Sequence, residues 1–429
     1  MLSPNQTLPL TIEKPAAGGR MLARANGQVV LVAGAIPGER VTVRVERVTK
    51  GVVFAETVTV DAPSPDRRAP FDDPLCGGCV YSHIEYPRQL DIKAAVITEA
   101  FKRIGRLELP GRIGVAASPE DGYRMRGRLH VRGYRLGFFR ENTHEVCDPR
   151  TTRQLLPETC DALDRLMAAM RSLGLDAVRE IELSENVDAS DRVVYLDASS
   201  EIDTRAIVTL AGTDGFTGIV SAFGIQGRAH VVDRLALRPV VKAGAECTVA
   251  LRRHVLAFFQ GNRHLLSTLV THVVEQVRAD GEVIDLYAGV GLFSVSAAAT
   301  RGVRVTAVEG DHHAAEDLVA NAADGAGSIV AVHQSVEKFL GSFRRETDRR
   351  ASTVIVDPPR TGLSKDAIDG VLRLNASRLI YVSCDVATLA RDARRIVDAD
   401  EGYAIARAAA FDLFPNTPHV ETVVVFDRQ

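Results

Sequence analysis

The chain has 429 residues, of which 46% are hydrophobic and 25% are charged, and its formal net charge is −3. At about 100–200 residues per domain, this length predicts two or three domains, and the composition excludes a disordered or collagen-like chain. No apolar run reaches the roughly 18 residues of a membrane-spanning helix. The N-terminus has no secretory signal pattern and six cysteines are too few for a disulfide scaffold, which favours a cytoplasmic protein.

The first 62 residues have the pattern of a small all-β domain. Residues 28–32 and 41–45 are short runs rich in β-branched residues, and Gly/Pro pairs such as Pro37-Gly38 separate such runs. About four or five strands in this length predict a small β-barrel over residues 1–62. Two prolines within residues 61–66 then predict a linker.

Residues 63–250 mix helical and strand-like patterns, so we expect a central α+β domain. It begins with a Cys76-Gly-Gly-Cys79 motif. The periodicity of apolar residues predicts helices over 89–104 and 161–173, and strands within 122–140, at 193–196 and at 206–210.

The central domain also contains a strip of basic residues. Between Tyr123 and Arg140 there are six arginines and no carboxylate: Arg124, Arg126, Arg128, Arg132, Arg135 and Arg140. Such a strip attracts a polyanion even when the whole chain is nearly neutral. The alternative is a solvated strand face that carries arginine for solubility.

From about residue 264 helices and strands alternate. This alternation predicts a mostly parallel, doubly wound sheet, so the expected fold class of residues 251–429 is α/β and Rossmann-like. The expected strands are 283–287, 303–308, 329–332, 354–356, 379–382 and 422–426.

The turn after the first of these strands carries two glycines, in Asp285-Leu-Tyr-Ala-Gly-Val-Gly291. Glycines at a strand-to-helix turn let a ligand approach the backbone closely. Glu309, which ends the next strand, is placed to accept hydrogen bonds from ribose hydroxyls. A dinucleotide fingerprint has a third glycine where Ser294 stands, so the pattern favours S-adenosylmethionine over NAD.

Other chemically competent residues border the strands of the same sheet. Asp357 follows one strand, and Cys384 lies between another strand and a helix whose N-terminus is expected to lower the pKa of the thiol. Glu421 precedes the last strand, where an apolar setting raises the pKa of a carboxylate and suits it to accept a proton. Gln260 and Asn262 offer amide edges for a uracil-type ring or for an amino acid group. Taken singly, each residue also fits a purely structural role.

Together these motifs resemble those of the RNA 5-methyluridine methyltransferases, the class I S-adenosylmethionine-dependent family that acts on uracil C5. The resemblance covers residues 258–429 closely. Residues 8–60 resemble the TRAM domain, a small RNA-binding β-barrel that many members carry. The motifs are Phe258-x-Gln-x-Asn262, the glycine turn, Asp357-Pro-Pro-Arg360, Ser383-Cys-Asp385 and His419-Val-Glu421.

The resemblance implies a role for each site residue. Uracil C5 attacks a methyl donor only after a thiolate has added at C6, and a base must then remove the C5 proton so that the thiolate can leave. By resemblance, Cys384 is the nucleophile and Glu421 the proton acceptor. The base is expected to be flipped out of folded RNA, with the arginines and the barrel contacting the strand. The expected cofactor- or substrate-binding residues are Gln260, Tyr287, Glu309 and Asp357.

The resemblance also implies a four-iron cluster, held in many members by a first Cys, the Cys-Gly-Gly-Cys pair and a distant Cys at a helix start. Cys76 and Cys79 match the pair and Cys160 resembles the distant ligand, but residues 67–73 lack the first cysteine. Because such a cluster normally needs four thiolates, a standard cluster is doubtful unless Cys147 or a non-cysteine ligand substitutes. The three cysteines also fit a role as small core residues.

Two other functions stay open at this point. As an enzyme, the chain could methylate a different RNA base or a small aromatic substrate, although the barrel and the arginines argue for RNA. As a non-enzyme, it could be an RNA-binding protein of this family with a decayed catalytic site. Ribosomal and transfer RNA are both open as substrates. We expect a monomer whose partner is RNA, and neither DNA nor a membrane.

Overall fold

The computed structural model describes residues 2–141, 143–238, 247–324, 329–342, 351–399 and 402–429. Within these ranges, no helix is both long enough and apolar enough to cross a membrane. The described residues form a six-stranded sheet at the N-terminus, a seven-stranded sheet and a two-stranded pair in the middle, and an eight-stranded sheet that holds the C-terminal strands.

The N-terminal sheet contains the strands expected for residues 8–60. They are β1 (Thr7–Thr11), β2 (Lys14–Pro15), β3 (Met21–Ala25), β4 (Gln28–Ala33), β5 (Arg40–Thr49) and β6 (Val52–Ala62). Their order is β1-β5-β6-β4-β3-β2. Along β5, Val41, Val43 and Val45 are fully buried while the residues between them are not, which is the alternation of a strand with one face on a core.

The middle of the chain forms a second sheet with the order β10-β9-β8-β11-β12-β13-β14, and a separate antiparallel pair, β15 with β16. The predicted helices over 89–104 and 161–173 are confirmed as α1 and α2, and a π-helical turn at Phe101–Gly105 extends α1. The elements are α1 (Tyr86–Ala100), β7 (Val115–Ala116), β8 (Arg126–Arg132), β9 (Arg135–Phe139), β10 (Val146–Cys147), α2 (Pro157–Ser172), β11 (Val178–Glu185), β12 (Arg192–Ala198), α3 (Thr204–Ala211), β13 (Gly218–Ser221), β14 (Gly224–Gly227), β15 (His230–Leu237) and β16 (Cys247–His254).

The strand predicted at 206–210 is wrong, because this run is part of α3. Asp203 caps the helix by accepting a hydrogen bond from the Arg205 backbone N–H. Ile207 and Leu210, three residues apart, point into the core, whereas Val208 is 52% exposed. The β-branched residues favoured a strand, but the cap and the helical spacing of the buried residues determine the local structure.

The C-terminal sheet confirms the predicted α/β alternation. Its order is β19-β18-β17-β20-β21-β23-β22-β7, parallel from β19 to β21, with β23 antiparallel to both of its neighbours. The elements are α4 (Leu266–Gln276), β17 (Glu282–Leu286), α5 (Leu292–Arg301), β18 (Val305–Glu309), α6 (His312–Asp324), β19 (Ile329–His333), α7 (Val336–Ser342), β20 (Ala351–Val356), α8 (Lys365–Arg373), β21 (Arg378–Ser383), α9 (Val386–Val397), β22 (Tyr403–Phe411) and β23 (Glu421–Arg428).

Part of the middle region packs onto this last sheet. The short strand β7 pairs with β22 at the sheet edge. Ile97 of α1 and Phe101 share one buried apolar core with Leu389 of α9 and Phe426 of β23. The helix α1 therefore contacts the sheet that carries the chemically competent residues.

Candidate active site

Cys384 and Glu421 lie at adjoining strand ends. Ser383, the last residue of β21, pairs with Thr422 of β23, and this pair ends the antiparallel ladder. Cys384 and Glu421 are the next residues beyond it on the two chains, and the charge of Glu421 acts on the Cys384 thiol. Cys384 is partly exposed, whereas Glu421 is 1% exposed. The Glu421 Oε1 has no hydrogen-bond partner among the described residues. A thiol open to a ligand thus adjoins a buried carboxyl group that has room for a further hydrogen bond.

Asp357 follows β20, the neighbour of β21, and lies at the same sheet edge. The Gln260 Nε2 donates to the Asp357 Oδ2 at 3.2 Å. Burial, followed by the nearby Asp285, raises the pKa of Asp357 to about 7, and burial raises the pKa of Asp285 to about 7 as well. Burial and the charge of Asp357 raise the pKa of Glu421 well above its usual value, as the sequence predicts for this carboxyl.

The expectation of a lowered thiol pKa is wrong. Burial, followed by the charge of Glu421, raises the pKa of Cys384 to about 11. The Asp385 side chain caps α9 by accepting from the Thr388 backbone N–H at 2.8 Å, and a carboxylate at this place opposes the expected effect of the helix N-terminus on the thiol. A carboxylate therefore already occupies the positive end of the helix dipole.

Arg360 is a site residue to which the sequence analysis assigned no role. The charge of its guanidinium lowers the pKa of the Cys384 thiol, against the larger effects of burial and Glu421. Its charge also lowers the pKa of Glu421. The sequence feature that could have identified Arg360 is the motif Asp357-Pro-Pro-Arg360, in which two prolines fix the direction of the chain after β20.

The backbone of the glycine turn leaves open space at Gly289, next to the carboxylate of Glu309. The Gly289 backbone N–H donates to the Glu309 Oε2 at 2.7 Å, which fixes the carboxylate over the turn. Gly289 and Gly291 both have positive φ, and a Cβ at Gly289 would meet nothing within 4 Å. Tyr287 has a φ of +61° as well, an unusual conformation for a residue with a side chain.

These residues fit the cofactor that the sequence analysis expects. The open backbone at Gly289 leaves space for a ligand, and the Asp285 Oδ1 is buried without a hydrogen-bond partner among the described residues. Carboxylates suit both the ribose and the positive charge of S-adenosylmethionine. The four expected binding residues, Gln260, Tyr287, Glu309 and Asp357, lie at or beside the carboxyl ends of β17, β18 and β20, or reach that edge by a hydrogen bond.

Asn262 has a structural role in place of the expected binding role. It is fully buried, and its Nδ2 donates to the Ser118 Oγ at 2.9 Å and to the Leu413 carbonyl at 3.1 Å. Its Oδ1 accepts from the backbone N–H groups of His264 and Leu265. Both edges of the amide are therefore in use within the protein.

The predicted cysteine ligands are not brought together. Cys76 forms a disulfide with Cys147 of β10, in the second sheet, while Cys79 and Cys160 are free and buried. In the described part of the chain, no group of three or more Cys, His, Asp or Glu side chains has a metal-binding arrangement. This donor set does not fit a four-iron cluster.

The arginine strip is more neutralised than its sequence implies. Arg128 pairs with Glu182 at 2.6 Å, and Arg140 pairs with Asp73 at 2.7 Å. The acids come from a neighbouring strand and from the Cys-Gly-Gly-Cys loop, which the local composition could not show. Arg132 and Arg135 are exposed and have no ion-pair partner within the described residues.

Comparisons with known proteins agree with this geometry. Residues 241–429 match the family model of the tRNA (uracil-5-)-methyltransferases, and residues 3–58 match that of the TRAM domain. A solved structure, the Pyrococcus abyssi tRNA (uracil-54, C5)-methyltransferase in complex with S-adenosyl-L-homocysteine, is similar with a TM-score of 0.74 at 25% identity, over 97% of this chain and 99% of that chain.

Relatives of known sequence match over nearly the whole length. An uncharacterized RNA methyltransferase of Thermotoga maritima is 31% identical, over 96% of this chain and 97% of its own. The 23S rRNA (uracil(1939)-C(5))-methyltransferase RlmD of Xanthomonas axonopodis pv. citri is 30% identical, over 96% of this chain and 95% of its own. The chain therefore belongs to the class I S-adenosylmethionine-dependent RNA uracil-C5 methyltransferase family, and it carries a TRAM domain at its N-terminus.

Proposed function

We propose that this enzyme transfers a methyl group from S-adenosylmethionine to C5 of a uridine in ribosomal or transfer RNA, through a covalent bond between Cys384 and C6. The single observation that carries the proposal is the placement of Cys384 beside Glu421 at the edge where Asp357 and the glycine turn also meet. The relatives named as 23S rRNA enzymes favour ribosomal RNA, and the similar solved structure is a transfer RNA enzyme.

The cofactor would be held by the glycine turn and the acids around it. Glu309, fixed by the Gly289 N–H, would accept hydrogen bonds from the ribose hydroxyls, and Tyr287 borders the same turn. Asp357 and Gln260 lie between this turn and Cys384. When bound, S-adenosylmethionine supplies a methyl group on a positively charged sulfur. The buried carboxyl groups of Asp285 and Asp357 would then face a cation and become easier to ionise.

The first step depends on the Cys384 thiolate. Its sulfur adds to C6 of the uracil, which pushes electrons onto C5 and O4 and lets C5 take the methyl group. Because the pKa of the free thiol is about 11, the thiolate must form with help. The Arg360 guanidinium, whose charge already lowers the pKa of the thiol, supplies positive charge for this purpose.

Glu421 completes the reaction. Its carboxylate takes the C5 proton, the electrons of the C5–H bond restore the C5–C6 double bond, and the bond between C6 and the Cys384 sulfur breaks. A raised pKa makes Glu421 a better proton acceptor once it is ionised. The thiolate returns to its starting state, and no step uses an iron–sulfur cluster.

RNA would reach this site from the side of the barrel and the second sheet. Phe258, two residues before Gln260, is 62% exposed and would offer an aromatic face to a flipped nucleotide. We further propose the division into a barrel (1–62), a central domain (63–250) and a methyltransferase domain (251–429). The order of the sheets along the chain supports it.

The proposal is tested by incubating the enzyme with S-adenosylmethionine and, separately, ribosomal and transfer RNA that lack the modification. Nucleoside mass spectrometry should show new 5-methyluridine in one RNA pool, and none with Cys384→Ala. Unchanged methylation by Cys384→Ala would overturn the covalent mechanism. RNA binding without any S-adenosylmethionine binding would favour a decayed catalytic site.

A further inference from the structure

Residues 412–420 connect β22 to β23 and lead into Glu421. Side chains of α1 bond to this connection. Lys93 of α1 forms an ion pair with Asp412 at 2.5 Å (Nζ to Oδ1), and both side chains are at most 1% exposed. The Lys93 Nζ also donates to the Phe414 carbonyl at 3.1 Å. Since apolar residues of similar volume often stabilise a core as well as a buried ion pair does, stability alone does not account for this pair.

Gln89, one turn earlier on α1, holds the same connection at its centre. Its Nε2 donates to the Asn416 Oδ1 at 2.8 Å, and the Asn416 backbone N–H donates to the Gln89 Oε1 at 2.9 Å. Asn416 has a φ of +63°, a left-handed conformation that few side chains tolerate. Lys93 and Gln89, one turn apart on α1, thus hold the connection at Asp412 and at Asn416.

The position of Glu421 depends on this connection. Phe411 of β22 pairs with Glu421 of β23. Asp412 therefore directly follows the residue that lies opposite the proposed base. The Glu421 carboxyl is 1% exposed, and its Oε1 has no hydrogen-bond partner within the described ranges. Because no hydrogen bond from the described residues holds that oxygen, the backbone that leads into β23 contributes to the direction in which the carboxyl group points.

We propose that Lys93 is a positioning residue for Glu421 and acts through Asp412, with Gln89 in support. The inference rests on the proposed function, in which Glu421 removes the C5 proton. Cys384 is positioned by β21 and by the Asp385 cap of α9, so addition of its sulfur to C6 does not need the Lys93–Asp412 pair. Loss of the pair should slow removal of the C5 proton, and it should leave the addition of Cys384 and the methyl transfer unchanged.

The test uses the double variant Lys93→Met with Asp412→Asn. These side chains nearly match the originals in size and leave no unpaired buried charge, which the single Lys93→Met variant would do. Target RNA with 5-fluorouridine traps the covalent adduct, because the fluorine at C5 cannot be removed as a proton. The rate of trapping therefore reports the steps before Glu421 acts, and turnover on ordinary RNA reports the whole reaction.

For the double variant, we expect trapping at the wild-type rate, a fall in turnover of about 10- to 100-fold, and accumulation of the adduct with ordinary RNA. The matched control is Arg378→Met with Asp427→Asn, which removes an ion pair at the far ends of β21 and β23 and should leave both rates unchanged.

Two results would overturn the inference. A parallel fall in trapping and turnover would show a purely structural role for the pair, and unchanged turnover would show that Glu421 does not need it. If the wild-type enzyme itself formed no trapped adduct, the covalent mechanism would fail first, and the inference would fail with it.

Discussion

Cys384 and Glu421 each lie one residue beyond Ser383 and Thr422, the pair that ends the antiparallel ladder of β21 and β23. Residues opposite each other in such a ladder lie about 5 Å apart at their Cα atoms. In the proposed mechanism, one backbone framework would therefore present both the nucleophile and the base to two neighbouring carbons of the pyrimidine ring. The short segments before and after these strands decide how well each group is aimed.

Replacing Glu421 separates formation of the covalent adduct from removal of the C5 proton. Glu421→Gln keeps the shape of the side chain but cannot accept the C5 proton, so we expect the adduct with RNA to form and persist. Turnover should fall by about 10²- to 10⁴-fold, the usual contribution of a general base. Denaturing gel electrophoresis of the enzyme with labelled RNA measures the adduct, and Cys384→Ala is the control without one. Wild-type turnover in Glu421→Gln would rule out this base.

The pKa of Cys384 predicts a steep pH dependence. Because burial and Glu421 raise this pKa to about 11, the thiolate fraction rises about tenfold for each pH unit below that value. The rate of trapping with 5-fluorouridine RNA should therefore increase from pH 7 to pH 9 without a plateau. Arg360→Met should lower the rate at every pH, since the positive charge beside the thiol is lost. A plateau below pH 8 in the wild-type enzyme would contradict this account.

The buried acids predict a pH-dependent preference for the charged cofactor. Asp285 and Asp357 have pKa values of about 7, so both ionise as the pH rises from 6 to 8. S-adenosylmethionine carries a positive sulfur and S-adenosylhomocysteine does not, so the ratio of their affinities should rise over this interval, with protons released on binding of the first.

Isothermal titration calorimetry at pH 6, 7 and 8 measures both affinities, and repeating it in buffers of different ionisation enthalpy counts the protons. Asp357→Asn should flatten the dependence, because one of the two titrating groups is gone. An equal affinity ratio at all three pH values in the wild-type enzyme would argue against a sulfonium site at these acids.

The arginine strip should contribute to RNA binding through its unpaired members. Replacing Arg132 and Arg135 together with alanine should weaken RNA binding and reduce the salt dependence by about one unit of slope per lost phosphate contact. Arg128→Ala is the comparison, because Glu182 already neutralises that side chain. Fluorescence anisotropy at several salt concentrations measures the slopes. Equal effects of the paired and unpaired arginines would contradict the distinction.

Local pattern was enough to place the main chemical groups. The strand-to-helix order after residue 264 put Cys384, Asp357 and Glu309 at one sheet edge, since parallel strands end on the same side. The alternation in residues 41–45 likewise identified a half-buried strand. Both predictions depend only on residues that are close together in the sequence.

The errors and omissions involve distant partners. The pKa of Cys384 depends on burial and on the charge of Glu421, which lies 37 residues further along the chain. Lys93 and Asp412 are 319 residues apart, and nothing in the periodicity of α1 marks a lysine as buried. For 206–210, composition favoured a strand while the cap at Asp203 and the apolar spacing formed a helix.

Tritium release from RNA labelled at uridine C5 tests the central claim most directly. Methylation at this carbon must expel the hydrogen that it carries, so the account predicts one tritium released for each methyl group transferred from S-adenosylmethionine. Cys384→Ala should release none. Methyl transfer to RNA without tritium release would contradict the account, because the methyl group would then be on another atom.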